Sequence, residues 1–176
     1  IRKAYFAAGC FWGVEYHFEK LNGVISAISG YMGGHIENPS YQMVCTGFSG
    51  HLEVVEVTFD ETIVSFETLA KLFFEIHDFT QTNGQGPDIG SQYLSAIFYV
   101  DNEQKNISEK LIQELERKGF KVATSLYELL HFIKLKSIIK ITMKDTKRRL
   151  IVIVIKRYFK EFLKCSRYVY YLIFEV

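Results

Sequence analysis

Cysteine is scarce in this chain, and its scarcity removes several classes of protein. Cys10, Cys45 and Cys165 stand far apart among 176 residues, with no CxxC pair and no Cys/His cluster at zinc spacing. A disulfide scaffold and a structural zinc site are therefore not indicated, and an odd count leaves at least one thiol free in a reducing compartment. No run of about 18 apolar residues is present, so no membrane-spanning helix is read. The start, Ile1–Ala8, is too short and wrongly composed for a secretory leader, and a soluble, cytoplasmic protein is the expectation.

Proline and glycine run out before the chain does. Both prolines and all 12 glycines lie before residue 120. Charge divides at nearly the same place: residues 1–126 carry 9 Lys or Arg against 16 Asp or Glu, and residues 127–176 carry 12 against 4. Two parts are expected, a globular domain over 1–126 and a basic, apolar tail over 127–176. The tail contains LIVIVI at 150–155 and an unshielded YVYYLIF at 168–174, with no turn residues to fold either back.

What is present in the first part reads as an α+β domain. Residues 3–8 suit a buried strand and Gly9 a hinge. Trp12–Leu21 suits a helix with Trp12, Val14, Tyr16, Phe18 and Leu21 on its apolar side, stopped by Asn22-Gly23. A strand over 24–31 leads into a glycine-rich loop that reaches Tyr41, and the alternation from Leu52 to Phe59 is a strand that accommodates a bulge. Ser65 caps a helix with Phe66, Leu69, Ala70, Leu72, Phe73 and Ile76 on its stripe. A polar loop, 78–92, precedes a strand at 94–100. A helix over 103–118, with Ile107, Leu111, Ile112 and Leu115 inward, is followed by a strand at 120–123. The order β-α-β-β-α-β-α-β predicts a mixed or antiparallel sheet covered by helices, with two long loops that build a site.

Gly9-Cys10-Phe11-Trp12-Gly13 places a thiol at the junction of strand and helix. Unpaired N–H groups at a helix start favour the thiolate, so a pKa below about 8.5 is expected for Cys10 and the residue is a candidate nucleophile. Glu53 interrupts an apolar strand pattern, where burial would raise its pKa and keep a proton available; Glu56 reads as the solvent-facing acid of the pair. Tyr41, Asp88 and Tyr93 add two phenols and an acid from the loops, and Phe11 with Trp12 can line an apolar pocket for a small group such as a methyl.

These residues lie in stretches that resemble the peptide methionine sulfoxide reductase A family: AAGCFWGVE (7–15), SGYMGG (29–34), NPSYQMVCTG (38–47), GHLEVVEVTFD (50–60) and LFFEIHDFTQTNGQGPDIGSQYLSAIFY (72–99). The resemblance covers residues 3–125. It implies a ferredoxin-like α/β sandwich and reduction of the S epimer of methionine sulfoxide, free or in proteins. It also implies Cys10 as nucleophile, Glu53 as general acid, Tyr41 and Tyr93 as sulfoxide-binding hydroxyls with Asp88 behind them, and Phe11 with Trp12 as methyl pocket. Cys45 matches a position that the family does not generally require. A thioredoxin-like reductant is implied, with no metal and no bound organic cofactor, and a monomer is the expectation.

Past residue 126 the family pattern stops. The usual Gly- and Pro-containing coil is replaced by a basic segment, and Cys165, the candidate resolving thiol, sits in the foreign context KCSRY. A slip of reading frame would account for the change, and re-sequencing codons 125–135 tests it. Two rival readings remain at this stage: a non-catalytic thiol sensor or methionine-sulfoxide-binding module, which would tolerate Glu53→Gln, and a basic adaptor for nucleic acid or acidic membrane. The adaptor lacks any nucleic-acid motif, so neither a nucleic-acid nor a membrane partner is expected.

Overall fold

The computed structural model describes residues 1–135. The apolar run at the start becomes β1 (Arg2–Ala8), followed by α1 (Phe11–Glu19), β2 (Val24–Met32) and the short α2 (Tyr41–Cys45). Next come β3 (Leu52–Phe59), α3 (Phe66–Glu75), a pair of two-residue strands β4 (Gly84–Gln85) and β5 (Asp88–Ile89), and β6 (Ser95–Tyr99). α4 (Asn102–Arg117), β7 (Ser125–Glu128) and β8 (Ile133–Lys134) complete the described chain. Residues Ile1–Lys134 form one compact unit, so the division expected after 126 falls within β7. The segments LIVIVI and YVYYLIF, and Cys165, lie outside the described residues.

β1 is apolar and buried from Ala4 to Ala8 because it is central, antiparallel to β3 on one side and to β6 on the other. The sheet order is β7-β6-β1-β3-β2-β8. Within it, β1-α1-β2-β3-α3-β6 is the βαββαβ unit of ferredoxin-like folds, and the parallel pair β6–β7 makes the sheet mixed. The fold is thus the expected α+β sandwich. The bulge anticipated in β3 lies in its partner β2, between Val24 and Ser26.

The strand expected at 120–123 is displaced to β7. A strand parallel to β6 must return to the end where β6 began, and residues 120–124 are used in that crossing. There the Ala123 N–H donates to the Phe79 carbonyl at 2.7 Å and the Phe120 ring meets Phe79 edge-on at 5.4 Å.

Alternation along the strands separates two faces. Phe6 points toward the helices, stacking with Phe18 of α1 at 4.9 Å and with Phe73 and Phe66 of α3 at 5.3 and 6.0 Å. Each fully buried aromatic of this kind stabilises the fold by about 1.5–3 kcal/mol. Tyr5, Ala7, Met32, Val54 and Phe98 occupy the other face, with Leu52 and Phe132 against them. α1 buries Phe11, Val14, Glu15 and Phe18, whereas Tyr16, assigned to the apolar side from sequence, is 44% exposed. The buried face of α4 is Gln104, Ser108 and Leu111. Its polar members are satisfied, with Gln104 Nε2 donating to the Lys3 carbonyl at 2.8 Å and the Ser108 hydroxyl to the Gln104 carbonyl at 2.8 Å.

Candidate active site

Cys10 is the N-cap residue of α1, one residue beyond the turn that ends β1. Gly9 makes that turn at φ +85°, and a Cβ there would lie 2.6 Å from Gln85 Cβ. Only glycine therefore lets the 84–89 hairpin, with Asp88, close over the start of α1. Gly84 serves the hairpin similarly, since its own Cβ would meet the Asp88 carbonyl oxygen at 2.1 Å.

The Cys10 side chain is partly exposed and its thiol is free. Its pKa is pushed up to about 12, first by desolvation, then by Glu53, and further by Asp88. The N–H groups of Trp12 and Gly13 act in the opposite direction. The helix-start effect is thus present, but burial and two facing carboxyl groups outweigh it, and the expected depressed pKa is corrected to a raised one.

Glu53 lies on the helix face of β3, 2% exposed, and its Oε2 accepts a hydrogen bond from the Phe11 N–H at 3.0 Å. Desolvation is the main cause that raises its pKa to about 8; the Phe11 bond lowers it and Asp88 raises it further. At neutral pH the group is mostly the neutral acid. The same amide follows Cys10 in the chain, so one peptide group links the thiol's residue to the acid. Glu56 points to the other face, where it accepts from the Tyr5 hydroxyl at 2.7 Å and from Lys3 Nζ at 3.0 Å. It is therefore a tethered, half-buried group rather than a plain solvent-facing one.

Aromatic rings surround this pair. Phe11 lies 5.8 Å from Trp12 and 6.3 Å from Tyr41, and Trp12 stacks on Tyr41 at 6.1 Å with the planes 4° apart. Tyr41 opens α2 instead of standing in a loop, because Ser40 caps that helix by accepting the Met43 N–H at 3.2 Å. Asp88 is 5% exposed, and Tyr93 is 2% exposed at the end of a 3-10 turn over Ser91–Tyr93. Burial raises the pKa of both Tyr41 and Tyr93, Glu53 is the second cause for each, and Cys10 also contributes to both. Cys10, Phe11, Trp12, Tyr41, Glu53, Asp88 and Tyr93 accordingly lie near one another at the start of α1.

Other residues escaped the sequence reading. Tyr31 stands directly opposite Glu53 in the β2–β3 ladder, with its ring 5.7 Å from Phe11. Its place in SGYMGG was quoted, and only the strand register reveals its neighbour. Glu15 is buried under α1, where it accepts from both the N–H and the hydroxyl of Ser29. His51 accepts the Gly34 N–H at Nδ1 (3.0 Å) and donates from Nε2 to the Ile36 carbonyl (2.8 Å), pinning the loop that leads to Tyr41. Among the described residues, no group of three His, Cys, Asp or Glu side chains is placed to hold a metal ion, and no helix is long and apolar enough to cross a membrane.

A thiol set against a neutral acid, with phenols around both, on a ferredoxin-like sandwich, is an arrangement suited to thiol-dependent redox chemistry. Comparison with known proteins narrows the class. A family model described as peptide methionine sulfoxide reductase matches residues 2–166, running beyond the residue 125 at which the motif resemblance ended. The chain is 55% identical over 117 residues to the peptide methionine sulfoxide reductase MsrA of Methanothermobacter thermautotrophicus, covering 66% of this chain and 69% of that one. It is 49% identical over 127 residues to the MsrA of Nautilia profundicola, covering 72% and 73%. Among solved structures, reduced Mxr1 from Saccharomyces cerevisiae matches with a TM-score of 0.72 at 31% identity, covering 77% of this chain and 80% of that one. Methionine sulfoxide reductase A of Corynebacterium diphtheriae gives 0.68 at 33% identity, covering 76% and 69%. The chain belongs to the peptide methionine sulfoxide reductase family.

Proposed function

We propose that this enzyme reduces the S epimer of L-methionine sulfoxide, free or in proteins, with Cys10 as nucleophile and Glu53 as proton donor. The observation that carries the reading is Glu53 itself: a carboxyl group sealed from water, anchored to the Phe11 amide, and still protonated near neutrality. A carboxylic acid kept neutral in this way can hand its proton to a substrate oxygen.

In the proposed reaction the sulfoxide oxygen sits between Glu53 and the hydroxyls of Tyr41 and Tyr93, with Asp88 behind the phenols. Phe11 and Trp12 enclose the methyl group. Protonation makes the sulfur more electrophilic, and the Cys10 thiolate attacks it. The sulfur–sulfur bond made in that attack and the substrate's sulfur–oxygen bond then break as the protonated oxygen passes to the Cys10 sulfur, and methionine leaves carrying two more electrons. Cys10, oxidised by those two electrons, is left as a sulfenic acid. A second thiol condenses with it to a disulfide and water, and a dithiol reductant of thioredoxin type reopens the disulfide. Neither metal nor organic cofactor takes part. Cys165, the candidate for that second thiol, lies outside the described residues. A fold neighbour, yeast Mxr1, has been solved in complex with Trx2, which supports a thioredoxin-like partner here.

The test uses the full chain with separated S and R epimers and dithiothreitol. Methionine should form from the S epimer alone, and Cys10→Ser should abolish it. Equal reduction of both epimers, or activity surviving without the Cys10 thiol, would overturn the assignment. A protein that binds sulfoxide without producing methionine would be the sensor or binding module instead.

A further inference from the structure

Among the described residues, two buried side-chain polar atoms have no hydrogen-bond partner, Tyr31 Oη and Gln92 Oε1. The Gln92 amide is nonetheless engaged, for its Nε2 donates to the Cys45 carbonyl at 3.2 Å. The Tyr31 hydroxyl has nothing, although the residue is only 2% exposed. Native proteins rarely leave a buried O–H without an acceptor, and an exception at a reaction site asks for an acceptor that arrives later.

Placement indicates which acceptor. Tyr31 and Glu53 are directly opposite in an antiparallel ladder, so both side chains stand on the helix face as nearest cross-strand neighbours. The Tyr31 ring packs on Phe11, the same ring that touches Trp12 and Tyr41. Its hydroxyl lies close enough to Glu53 and Tyr93 for each to raise its pKa beyond what burial alone does. It therefore faces the groups assigned above to the substrate oxygen.

We propose that the Tyr31 hydroxyl is a third phenolic donor to the oxygen of the bound sulfoxide, completing with Tyr41 and Tyr93 the set that holds this atom while Glu53 protonates it. The proposal rests on the sulfoxide reading of the site. A donor already aimed at that oxygen, and engaged by nothing else, needs no rearrangement as the oxygen gains negative charge during cleavage of its bond to sulfur.

Tyr31→Phe in the full chain removes one oxygen atom and keeps the ring. Single-turnover formation of methionine from the S epimer should slow about tenfold, the usual size for loss of one donor among several. In a Cys10→Ser background, the same change should weaken binding of methionine sulfoxide about fivefold and leave binding of methionine, which lacks the oxygen, unchanged. Tm should stay the same or rise, because the lost hydroxyl makes no bond in the free protein. Unchanged rate and affinity would overturn the proposal. So would a lowered Tm with equal loss for both ligands, which marks a structural role. Should the unsubstituted chain fail to reduce the S epimer, the functional reading itself falls, and that result is separate from any comparison with Tyr31→Phe.

Discussion

The two walls of the site are built differently. One is carried by the sheet ladder and the helix that follows β1: Cys10 at the start of α1, Glu53 on β3, Tyr31 opposite Glu53 on β2. The other comes from irregular chain, with Tyr41 on a helix of five residues, Asp88 on a strand of two and Tyr93 at the end of a single 3-10 turn. Main-chain hydrogen bonds in register hold the first wall. Side-chain amides clamp the second. Gln85 and Asp78 exchange two hydrogen bonds, from the Asp78 N–H to Oε1 at 2.9 Å and from Nε2 to the Asp78 carbonyl at 3.0 Å. Gln81 accepts the Gly86 N–H at 2.7 Å, and Gln92 ties the 3-10 turn to the end of α2. The groups proposed to attack the sulfur and to supply the proton are thus on or beside regular, in-register structure, where a small misplacement would cost most. The groups proposed to receive the substrate are held by side-chain contacts, which yield more easily than a main-chain ladder.

The largest effect should follow from a change in the ladder wall that leaves its packing intact. Glu53→Gln keeps the shape and an acceptor for the Phe11 amide but has no acidic proton. Single-turnover reduction of the S epimer should fall by about 10²–10⁴-fold, with Tm preserved, as read by rapid-quench kinetics beside calorimetry. Activity within a factor of about three would show that the proton comes from elsewhere, and the distinction between the walls would lose its chemical content.

Titration sharpens the same point. Cys10 and Glu53 interact, so their protons belong to the pair. With values of about 8 for Glu53 and about 12 for Cys10, the pair holds two protons below pH 8 and one between the two values. The reactive arrangement, thiolate beside neutral acid, also holds one proton and is a fixed fraction of that state. Consequently kcat/KM measured on the first turnover should rise about tenfold per pH unit up to about pH 8 and then level off. A rate that falls above pH 8 would mean that the Cys10 thiol ionises before Glu53 does, against the raised value of the thiol. Glu53→Gln should erase the break near pH 8.

How much of this could be read from the chain follows the same division. Gly9, Cys10 and the apolar positions of β1 and α1 are neighbours in sequence, and the junction they form was legible. Glu53 stood out as a carboxyl in an apolar strand. The sign of the Cys10 pKa did not follow from local pattern, because the helix start is visible at residues 10–13 whereas the burial and the facing groups Glu53 and Asp88 arrive only with the fold. Tyr31 was missed for the same reason: its neighbour is set by the register between β2 and β3, a non-local quantity. α2, the 84–89 hairpin and the shift of the last strand from 120–123 to Ser125–Glu128 are tertiary outcomes in segments whose local preferences are weak.

The smallest effect should come from loosening the clamped wall. Gln92→Ala removes the amide that donates to the Cys45 carbonyl and leaves that acceptor without this partner, at a cost of about 1 kcal/mol. The Tyr93 end of the 3-10 turn and the Cys45 end of α2 then move more independently, so the two phenols they carry meet the substrate oxygen less often in register. Cys10, Glu53 and the Phe11 amide should keep their places, because the Gln92 amide bonds to the Cys45 carbonyl and the Phe11 amide to Glu53. KM for methionine sulfoxide should accordingly rise about three- to tenfold while kcat with dithiothreitol stays within about twofold, and the pH break near 8 should not move. A fall in kcat together with a displaced break would show that the loop wall sets the chemistry of the thiol–acid pair, and that the mechanical separation between the walls does not survive in function.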